Sequence, residues 1–169
     1  MNMIVKFSLI SVLLLSISSF EVSAQELLSK NGSWVAYTIK ESSGKVCYMF
    51  TRPIKEEGNY TQRSEAYAMV TRRQGTKTSE EVSVTSGYPY KGKSITKVTI
   101  DGRSHSFSVL QGEYAWSEDP KYDPKIIKAM ARGNKLTVRG TSKKGTKSKD
   151  TYSLKGFTAT HKVIVKACP

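Results

Sequence analysis

The sequence contains few of the residues and motifs on which catalysis or metal binding usually depends. Its 169 residues include only two cysteines, Cys47 and Cys168, and two histidines, His105 and His161. Neither histidine has a neighbouring acidic residue at metal-ligand spacing. The hydrolase motif GxSxG, the zinc motif HExxH and the phosphate-binding motifs GxxxxGK[ST] and GxGxxG are missing. These absences argue against the common hydrolases, metalloenzymes and nucleotide-binding enzymes, and no cofactor is expected.

Carboxylate pairs suited to general acid/base catalysis are missing as well. Glu56–Glu57 and Glu80–Glu81 are adjacent in sequence, so in a strand one member of each pair points away from the other. We therefore expect all of them to be surface carboxylates. Glu118, Asp119 and Asp123 lack the spacing of a known calcium loop, and a helix start already accounts for Asp123. The sequence predicts no metal site.

Long apolar runs are missing beyond the N-terminus. Residues 1–24 carry Lys6 before an apolar segment, Phe7 to Leu15, and end in Val22-Ser23-Ala24. This pattern is typical of a secretory signal peptide cleaved before Gln25. The alternative is a membrane anchor, but the apolar segment is about half of the roughly 20 residues that span a bilayer. No cysteine stands at the processing site, which excludes a lipid-anchored lipoprotein.

Cleavage before Gln25 would leave a mature domain at residues 25–169, and export affects how its two cysteines are interpreted. No internal repeat or low-complexity tract divides this part of the chain, and its length allows a substantial core without a metal. An oxidising compartment favours a disulfide between Cys47 and Cys168 over a thiol nucleophile or a zinc ligand. The two cysteines are 121 positions apart, so the bridge would tie the end of the chain to an early strand.

Alternating apolar and polar residues predict a series of short strands after a polar lead-in. They are expected at Trp34–Ile39, Val46–Phe50, Ala66–Thr71, Glu81–Thr85, Ile95–Ile100, His105–Leu110, Tyr114–Trp116, and Leu136–Gly140 with Thr151–Leu154 as a hairpin. Residues 53–63 are interpreted as the longest early loop. Strands with turns at this density favour a mainly β, antiparallel sandwich or barrel over alternating βαβ units.

Two short helices are predicted in the C-terminal third. Asp123 followed by Pro124 indicates a helix start, and Gly133 is placed to end a helix of about ten residues. From Phe157 to Cys168 apolar residues recur at helical spacing, although Val163 to Val165 would suit a strand equally well. We favour a helix there.

Positive charge is concentrated near the C-terminus. Residues 25–124 hold 14 basic and 12 acidic side chains, whereas residues 125–169 hold 12 basic side chains and a single acidic one, Asp150. The densest part is Lys143, Lys144, Lys147 and Lys149 around a glycine turn. Such a cluster predicts binding of polyanions that weakens with salt. The alternative is a solvated turn whose lysines only keep the protein soluble.

A second candidate surface is aromatic. Tyr88 and Tyr90 flank a proline and are followed by Lys91 and Lys93, which together form a candidate edge for a protein partner. Tyrosines packed at a strand end are the alternative.

Short motifs distributed along the mature chain carry a family resemblance. They are Cys47-Tyr48, Glu81-Val82-Ser83, Gly87-Tyr88-Pro89-Tyr90, Ile100-Asp101-Gly102, Ala115-Trp116, Ile126-Ile127-Lys128-Ala129-Met130 with Gly133, Gly145-Thr146, Asp150-Thr151-Tyr152-Ser153-Leu154, Gly156-Phe157-Thr158-Ala159 and Cys168. In order and spacing this set resembles the invasion-associated locus B family over nearly the whole mature chain.

The resemblance implies an exported bacterial cell-envelope protein with an immunoglobulin-like β-sandwich. It also implies a link to host-cell invasion, because the founding member is linked to invasion of red cells. The family brings no catalytic residues to transfer. Some members carry a cysteine soon after the first-strand tryptophan, but here Val35-Ala36-Tyr37 follows Trp34, so their second disulfide is not expected.

Three function hypotheses follow. The first is a non-catalytic envelope protein that binds anionic lipid, lipopolysaccharide or polysaccharide through the turn at residues 143–149. Nucleic acid is disfavoured, because an exported protein meets envelope anions more often. The second is a virulence factor that binds a host or envelope protein through residues 88–93. The third is a hydrolase with an unfamiliar site, which would need a cleft with converging titratable groups. Residence in the periplasm, on the outer membrane or outside the cell agrees with each hypothesis.

Overall fold

The computed structural model describes residues 25–75 and 80–169, and the predicted signal peptide lies outside this range. The strands of the described residues are β1 Glu26–Asn31, β2 Trp34–Glu41, β3 Gly44–Thr51, β4 Lys55–Gly58, β5 Tyr67–Arg73, β6 Glu80–Thr85, β7 Thr96–Ile100, β8 Arg103–Gln111, β9 Tyr114–Ser117, β10 Lys135–Thr141 and β11 Lys147–Ser153. The helices are α1 Asp123–Arg132, preceded by a 3₁₀ turn at Pro120–Tyr122, and α2 Phe157–Ala167. Every predicted strand and both predicted helices are confirmed.

The strands form one antiparallel sheet that curves back on itself. Its order is β1-β2-β3-β5-β6-β9-β8-β7-β10-β11-β4. The indole Nε1 of Trp34 in β2 donates a hydrogen bond of 3.1 Å to the carbonyl of Ser153 in β11, although these strands stand near opposite ends of that order. The mainly β, antiparallel, immunoglobulin-like fold is confirmed. Its facing layers are parts of one continuous sheet.

The core lies on the inner face of this sheet. Along β2 the side chains of Trp34 and Ala36 are buried, and along β10 those of Leu136 and Val138 are buried, whereas the residues between them are more exposed. This period of two is what a half-buried strand requires. Helix α2 packs against β1, β2 and β3, where the ring of Phe157 meets Trp34 edge to face at a centroid distance of 4.9 Å. The two helices therefore cover the inner side and leave the outer faces of the sheet available.

The predicted disulfide is present. Cys47 in β3 and Cys168 just beyond α2 are bonded through their sulfur atoms, with Cα atoms 6.0 Å apart. Both cysteines are fully buried. The bridge therefore fixes the last helix to the early strands, and the described residues contain no free thiol.

Three local expectations were incomplete. The polar lead-in forms β1, and the predicted loop at residues 53–63 contains β4, an edge strand that pairs with β11. Neither segment has a clear alternation of apolar and polar residues, so pairing with a neighbour decides its conformation.

Asp123 begins α1, but its carboxylate is buried and accepts a hydrogen bond of 2.8 Å from the Ser117 hydroxyl instead of capping the helix. Burial raises the pKa of Asp123 above its usual value.

Candidate functional site

The predicted basic turn joins β10 to β11. Its backbone is closed by hydrogen bonds from the amide of Ser142 to the carbonyl of Thr146 at 2.8 Å and from the amide of Gly145 to the carbonyl of Ser142 at 2.8 Å. Lys143 and Lys144 are exposed on this turn. The amide of Lys143 also donates to the carbonyl of Pro89 at 2.8 Å, which ties the turn to the segment that precedes β7.

The structure divides the predicted lysine cluster between two sides of the hairpin. Lys143 and Lys144 line a cleft beside the turn, whereas Lys147 and Lys149 lie on the outer face of β11. Along β11 they alternate with Ser148 and Asp150, which are buried. Lys147 and Lys149 therefore share one face of the strand, whereas Lys143 and Lys144 belong to the turn, so the cluster serves two different surfaces.

Two further cations join the outer face. Arg139 in β10 is paired directly with Lys97 in β7 and with Lys149 in β11. Like charges directly opposite each other on a sheet are destabilising. We call Lys97, Arg139, Lys147 and Lys149 the basic sheet patch. They line a shallow groove of about 510 Å³ together with the exposed side chain of Ile95.

Sequence reasoning missed Lys97 and Arg139 because they are distant from the lysine-rich turn in the chain. The available signal was their place in alternating strands, where both stand between buried residues. Alternation predicts that each faces outward, but it does not predict that β7 and β10 are neighbours.

Glu57 on β4 is the carboxylate that lines this groove. It forms an ion pair with Lys149 at 2.9 Å and accepts a hydrogen bond from Lys55 at 3.1 Å. These two contacts lower the pKa of Glu57 below its usual value. Lys149 is therefore largely compensated. In contrast, Lys97, Arg139 and Lys147 form no ion pair with any other described residue.

The cleft beside the turn is larger, at about 790 Å³. We call it the loop cleft. One wall is the loop at residues 59–64, the other is the turn at residues 142–146, and residues 87–89 form its floor. Its described lining contains tyrosine, arginine and lysine but no carboxylate, histidine or cysteine. It therefore lacks the converging acids and bases that the hydrolase hypothesis requires.

Arg63 holds the loop wall in place. Its guanidinium donates to Asp150 through two nitrogens, at 2.9 and 2.6 Å, and to the carbonyl of Ser86 at 3.1 Å. A third carboxylate contact, to Glu56, measures 2.9 Å, and the ring of Tyr60 lies 4.4 Å from the guanidinium carbon. Burial alone would lower the pKa of Arg63, but the hydrogen bonds to Asp150 and Glu56 raise it above its usual value. Arg63 thus remains protonated, and its positive charge is balanced by the carboxylates of Asp150 and Glu56.

The structure corrects the predicted aromatic edge. Tyr88 and Tyr90 are only 8% and 6% exposed, so they do not form an exposed surface for a partner. The Tyr88 hydroxyl shares a hydrogen bond of 2.7 Å with Ser148, and the Tyr90 hydroxyl shares one of 2.8 Å with Ser86. Burial raises the pKa of both tyrosines.

Gly140 of β10 allows Tyr88 and Tyr90 to be buried. A Cβ atom at this position would lie 2.8 Å from the Tyr88 hydroxyl and 2.8 Å from the Tyr90 ring. The missing side chain therefore makes room for both rings above the sheet. Lys91 and Lys93 remain exposed.

His161 and the adjacent glutamates Glu80 and Glu81 have structural partners. Nε2 of His161 lies 2.7 Å from Glu80, and its ring stacks on Phe157 at 5.7 Å. Glu81 accepts from the indole of Trp116 at 2.8 Å, so the two adjacent glutamates diverge as expected. No group of three or more His, Cys, Asp or Glu side chains in the described residues could hold a metal ion.

The outer face of the other half of the sheet is aromatic. The rings of Tyr37, Tyr48 and Phe50 stack on one another with centroid distances from 5.9 to 6.4 Å, and Tyr67 meets Phe50 at 5.2 Å. All four side chains are partly exposed. The sheet therefore has one aromatic and one basic outer face.

Comparison with known proteins identifies the family of this chain. The model of the family described as "Invasion associated locus B (IalB) protein" matches residues 34–165. The chain belongs to the invasion-associated locus B family. Proteins of this family are associated with the cell envelope. No helix among the described residues has the length and apolar character needed to cross a membrane.

A solved structure supports the fold of this invasion-associated locus B protein. The fold of this chain resembles the crystal structure of invasion associated protein B from Bartonella henselae, with a TM-score of 0.57 and 14% sequence identity. The similarity covers 86% of this chain and 98% of the other. No curated protein matches the chain in a sequence comparison.

Proposed function

We propose that this protein is an exported, non-catalytic envelope protein that binds an anionic envelope component through the basic sheet patch and the adjoining turn. The main support is the cross-strand row Lys97–Arg139–Lys149, in which three cations lie side by side on neighbouring strands. Family membership supports the envelope location, and residence in the periplasm, on the outer membrane or outside the cell is compatible with it.

Electrostatics supports binding of a polyanion at this row. Adjacent cations on a sheet repel each other, and an anion placed between them replaces that repulsion with attraction. Lys97 and Arg139 are exposed and have no carboxylate partner among the described residues. The described residues therefore leave positive charge here without a neutralising carboxylate.

The ligand class follows from the spacing of the charges. Anionic phospholipid, lipopolysaccharide and acidic polysaccharide all present closely spaced phosphate or carboxylate groups. Arginine suits such groups because its guanidinium can form two parallel hydrogen bonds to one of them. The description of the family suggests association with host cells as one setting for this binding.

The test compares two variants that remove equal charge. Lys97→Gln, Arg139→Gln and Lys147→Gln together remove the unpaired cations of the patch. Lys30→Gln, Lys162→Gln and Lys166→Gln remove exposed cations of β1 and α2. Since each cation near an anionic surface contributes about 1 kcal/mol, the patch variant should lose about 100-fold in retention on phosphatidylglycerol vesicles at low salt. The control should change much less.

Separate binding assays with vesicles, lipopolysaccharide and polygalacturonate identify the source of the anion. Retention should fall as salt rises, because screening and ion release weaken such contacts. Equal loss in the two variants would show that only net charge matters and would reject the patch. Host-cell association that is unchanged in the patch variant would separate any invasion role from anion binding.

A further inference from the structure

We propose that the loop cleft binds an acidic saccharide, that is, a sugar carrying a carboxylate or phosphate group. The proposal rests on the proposed function, because it assigns an anionic ligand of defined class to Lys143 and Lys144. Charge is only part of the recognition expected here. The cleft also has neutral hydrogen-bonding groups, and it has more of them than the basic sheet patch.

The loop cleft has the size of a small-ligand site. Its volume of about 790 Å³ lies within the roughly 300–1,000 Å³ typical of ligand pockets. Most of the lining residues carry a polar side chain, and such side chains can form hydrogen bonds with a ligand covered with hydroxyl groups. The lining residues of the loop wall are Asn59, Tyr60, Thr61, Gln62, Arg63 and Ser64.

Neutral polar groups of the loop wall are available to a ligand. Asn59, Thr61, Gln62 and Ser64 are exposed, and their side chains form no hydrogen bond to any described residue. A carboxamide has both donor and acceptor atoms and a hydroxyl can act as either. Adjacent sugar hydroxyls also both donate and accept, so this set matches them chemically.

The opposite wall supplies the charge. Lys143 and Lys144 are exposed and form no ion pair within the described residues. Arg63 is balanced by Asp150 and Glu56, and no carboxylate of a described residue lines the cleft. The free charge in the cleft is therefore that of two ammonium groups, which favours a ligand carrying one or two negative charges.

Both walls are attached to the same floor. The amide of Ser64 donates to the carbonyl of Gly87 at 2.8 Å, and the amide of Lys143 donates to Pro89 at 2.8 Å. Gly87 has φ +69°, and a Cβ atom there would lie 1.9 Å from the carbonyl oxygen of Ser64. Only glycine fits this contact. A cleft formed before binding costs less ordering free energy when the ligand arrives.

The experiment uses the mature, disulfide-bonded protein and defined sugars. Trigalacturonate is the carboxylate probe, glucose 6-phosphate is the phosphate probe, and maltotriose is the neutral comparison. Isothermal titration calorimetry measures affinity. Backbone amide shifts in NMR spectra locate the site, and we expect them at residues 59–64 and 142–146.

The decisive variant leaves the charge unchanged. Asn59→Ala with Gln62→Ala should weaken binding of the acidic probe about ten-fold, the loss expected for two hydrogen bonds. Its retention on phosphatidylglycerol vesicles should be unaffected. Gln111→Ala with Asn134→Ala removes the same two side-chain types outside the cleft and should leave sugar binding unchanged. Lys143→Gln with Lys144→Gln should remove most binding of the acidic probe.

Several results would overturn the proposal. Failure of both acidic probes to bind would reject the cleft, and retention on vesicles would then show that the proposed function still holds. Maltotriose binding as tightly as trigalacturonate would reject the acidic class. If Asn59→Ala with Gln62→Ala has no effect, or if only the patch variant at Lys97, Arg139 and Lys147 loses trigalacturonate, the sugar contacts lysines or the patch and not the cleft.

Discussion

The guanidinium of Arg63 is buried between Asp150 of β11 and the ring of Tyr60, and it also contacts Glu56 of β4. One side chain thus joins a hairpin, an edge strand and the loop wall of the cleft. A buried ion pair of this kind is costly to break, because the remaining partner is left charged without compensation. We infer that its main effect is to hold residues 59–64 in one position beside the turn.

His105 provides the clearest pH dependence at the residue scale. Burial, with help from Lys125 and Arg103, lowers its pKa below the usual 6.5. The unfolded chain therefore binds the proton at a higher pH than the folded protein does. Stability should fall as the pH drops below about 6.5 toward the folded-state pKa.

His105→Gln should flatten this part of the profile. The measurement is the free energy of unfolding in urea between pH 7 and pH 5, for the wild type and the variant. Ser106→Gln, on an exposed neighbouring position, is the control and should keep the wild-type slope. An unchanged slope in His105→Gln would contradict the assignment.

At the element scale, β10 and β11 organise both candidate surfaces. Their outer positions carry Arg139, Lys147 and Lys149, and the turn between them carries Lys143 and Lys144. Strand β4 pairs with the outside of β11 and contributes the carboxylate that compensates one lysine. It also covers the edge of β11, which would otherwise expose unpaired backbone groups.

Helix α2 is held by the disulfide as well as by packing. Replacing both Cys47 and Cys168 with alanine should lower the free energy of unfolding by about 2–5 kcal/mol, because the unfolded chain loses a long-range constraint. Urea denaturation of this variant and of the reduced wild type should give similar losses. A loss below about 1 kcal/mol in both would show that packing of Phe157 and its neighbours fixes α2 without the bridge.

At the scale of the whole molecule, the chain separates its surface chemistry. Aromatic side chains lie on the outer face of β2, β3 and β5, whereas cations lie on the outer face of β7, β10 and β11. The excess of basic residues beyond position 124 produces this asymmetry, because β10 and β11 come from that part of the chain. A polyanion would accordingly meet the molecule from one side.

Cleavage of the predicted signal peptide is tested on the whole molecule. We predict that protein recovered from the cell envelope begins at Gln25 and lacks free sulfhydryls. Intact mass measurement with and without reduction and alkylation tests both points. A mass that includes residues 1–24, or alkylation without prior reduction, would contradict the prediction.

Much of the fold could be predicted from the sequence, because strand alternation and helical spacing are local signals. Residues 34–39 and 136–140 alternate between core and surface in the pattern expected of half-buried strands, and the structure places strands there. The disulfide was predictable because the sequence predicts export and its two cysteines have one intramolecular pairing available. The missed strands, β1 and β4, carry little alternation and depend on their partners.

Local sequence signals were enough to predict nine of the eleven described strands, the two late helices, the bridge and the concentration of positive charge in the last third of the chain. The positions of Lys97 and Arg139 beside Lys149, the division of the basic turn between two surfaces and the burial of Tyr88 and Tyr90 became visible in the folded chain. The physical reason is that alternation along a strand is written locally. Which strands become neighbours, and where a glycine such as Gly140 makes room for a ring, depends on residues far apart in the chain.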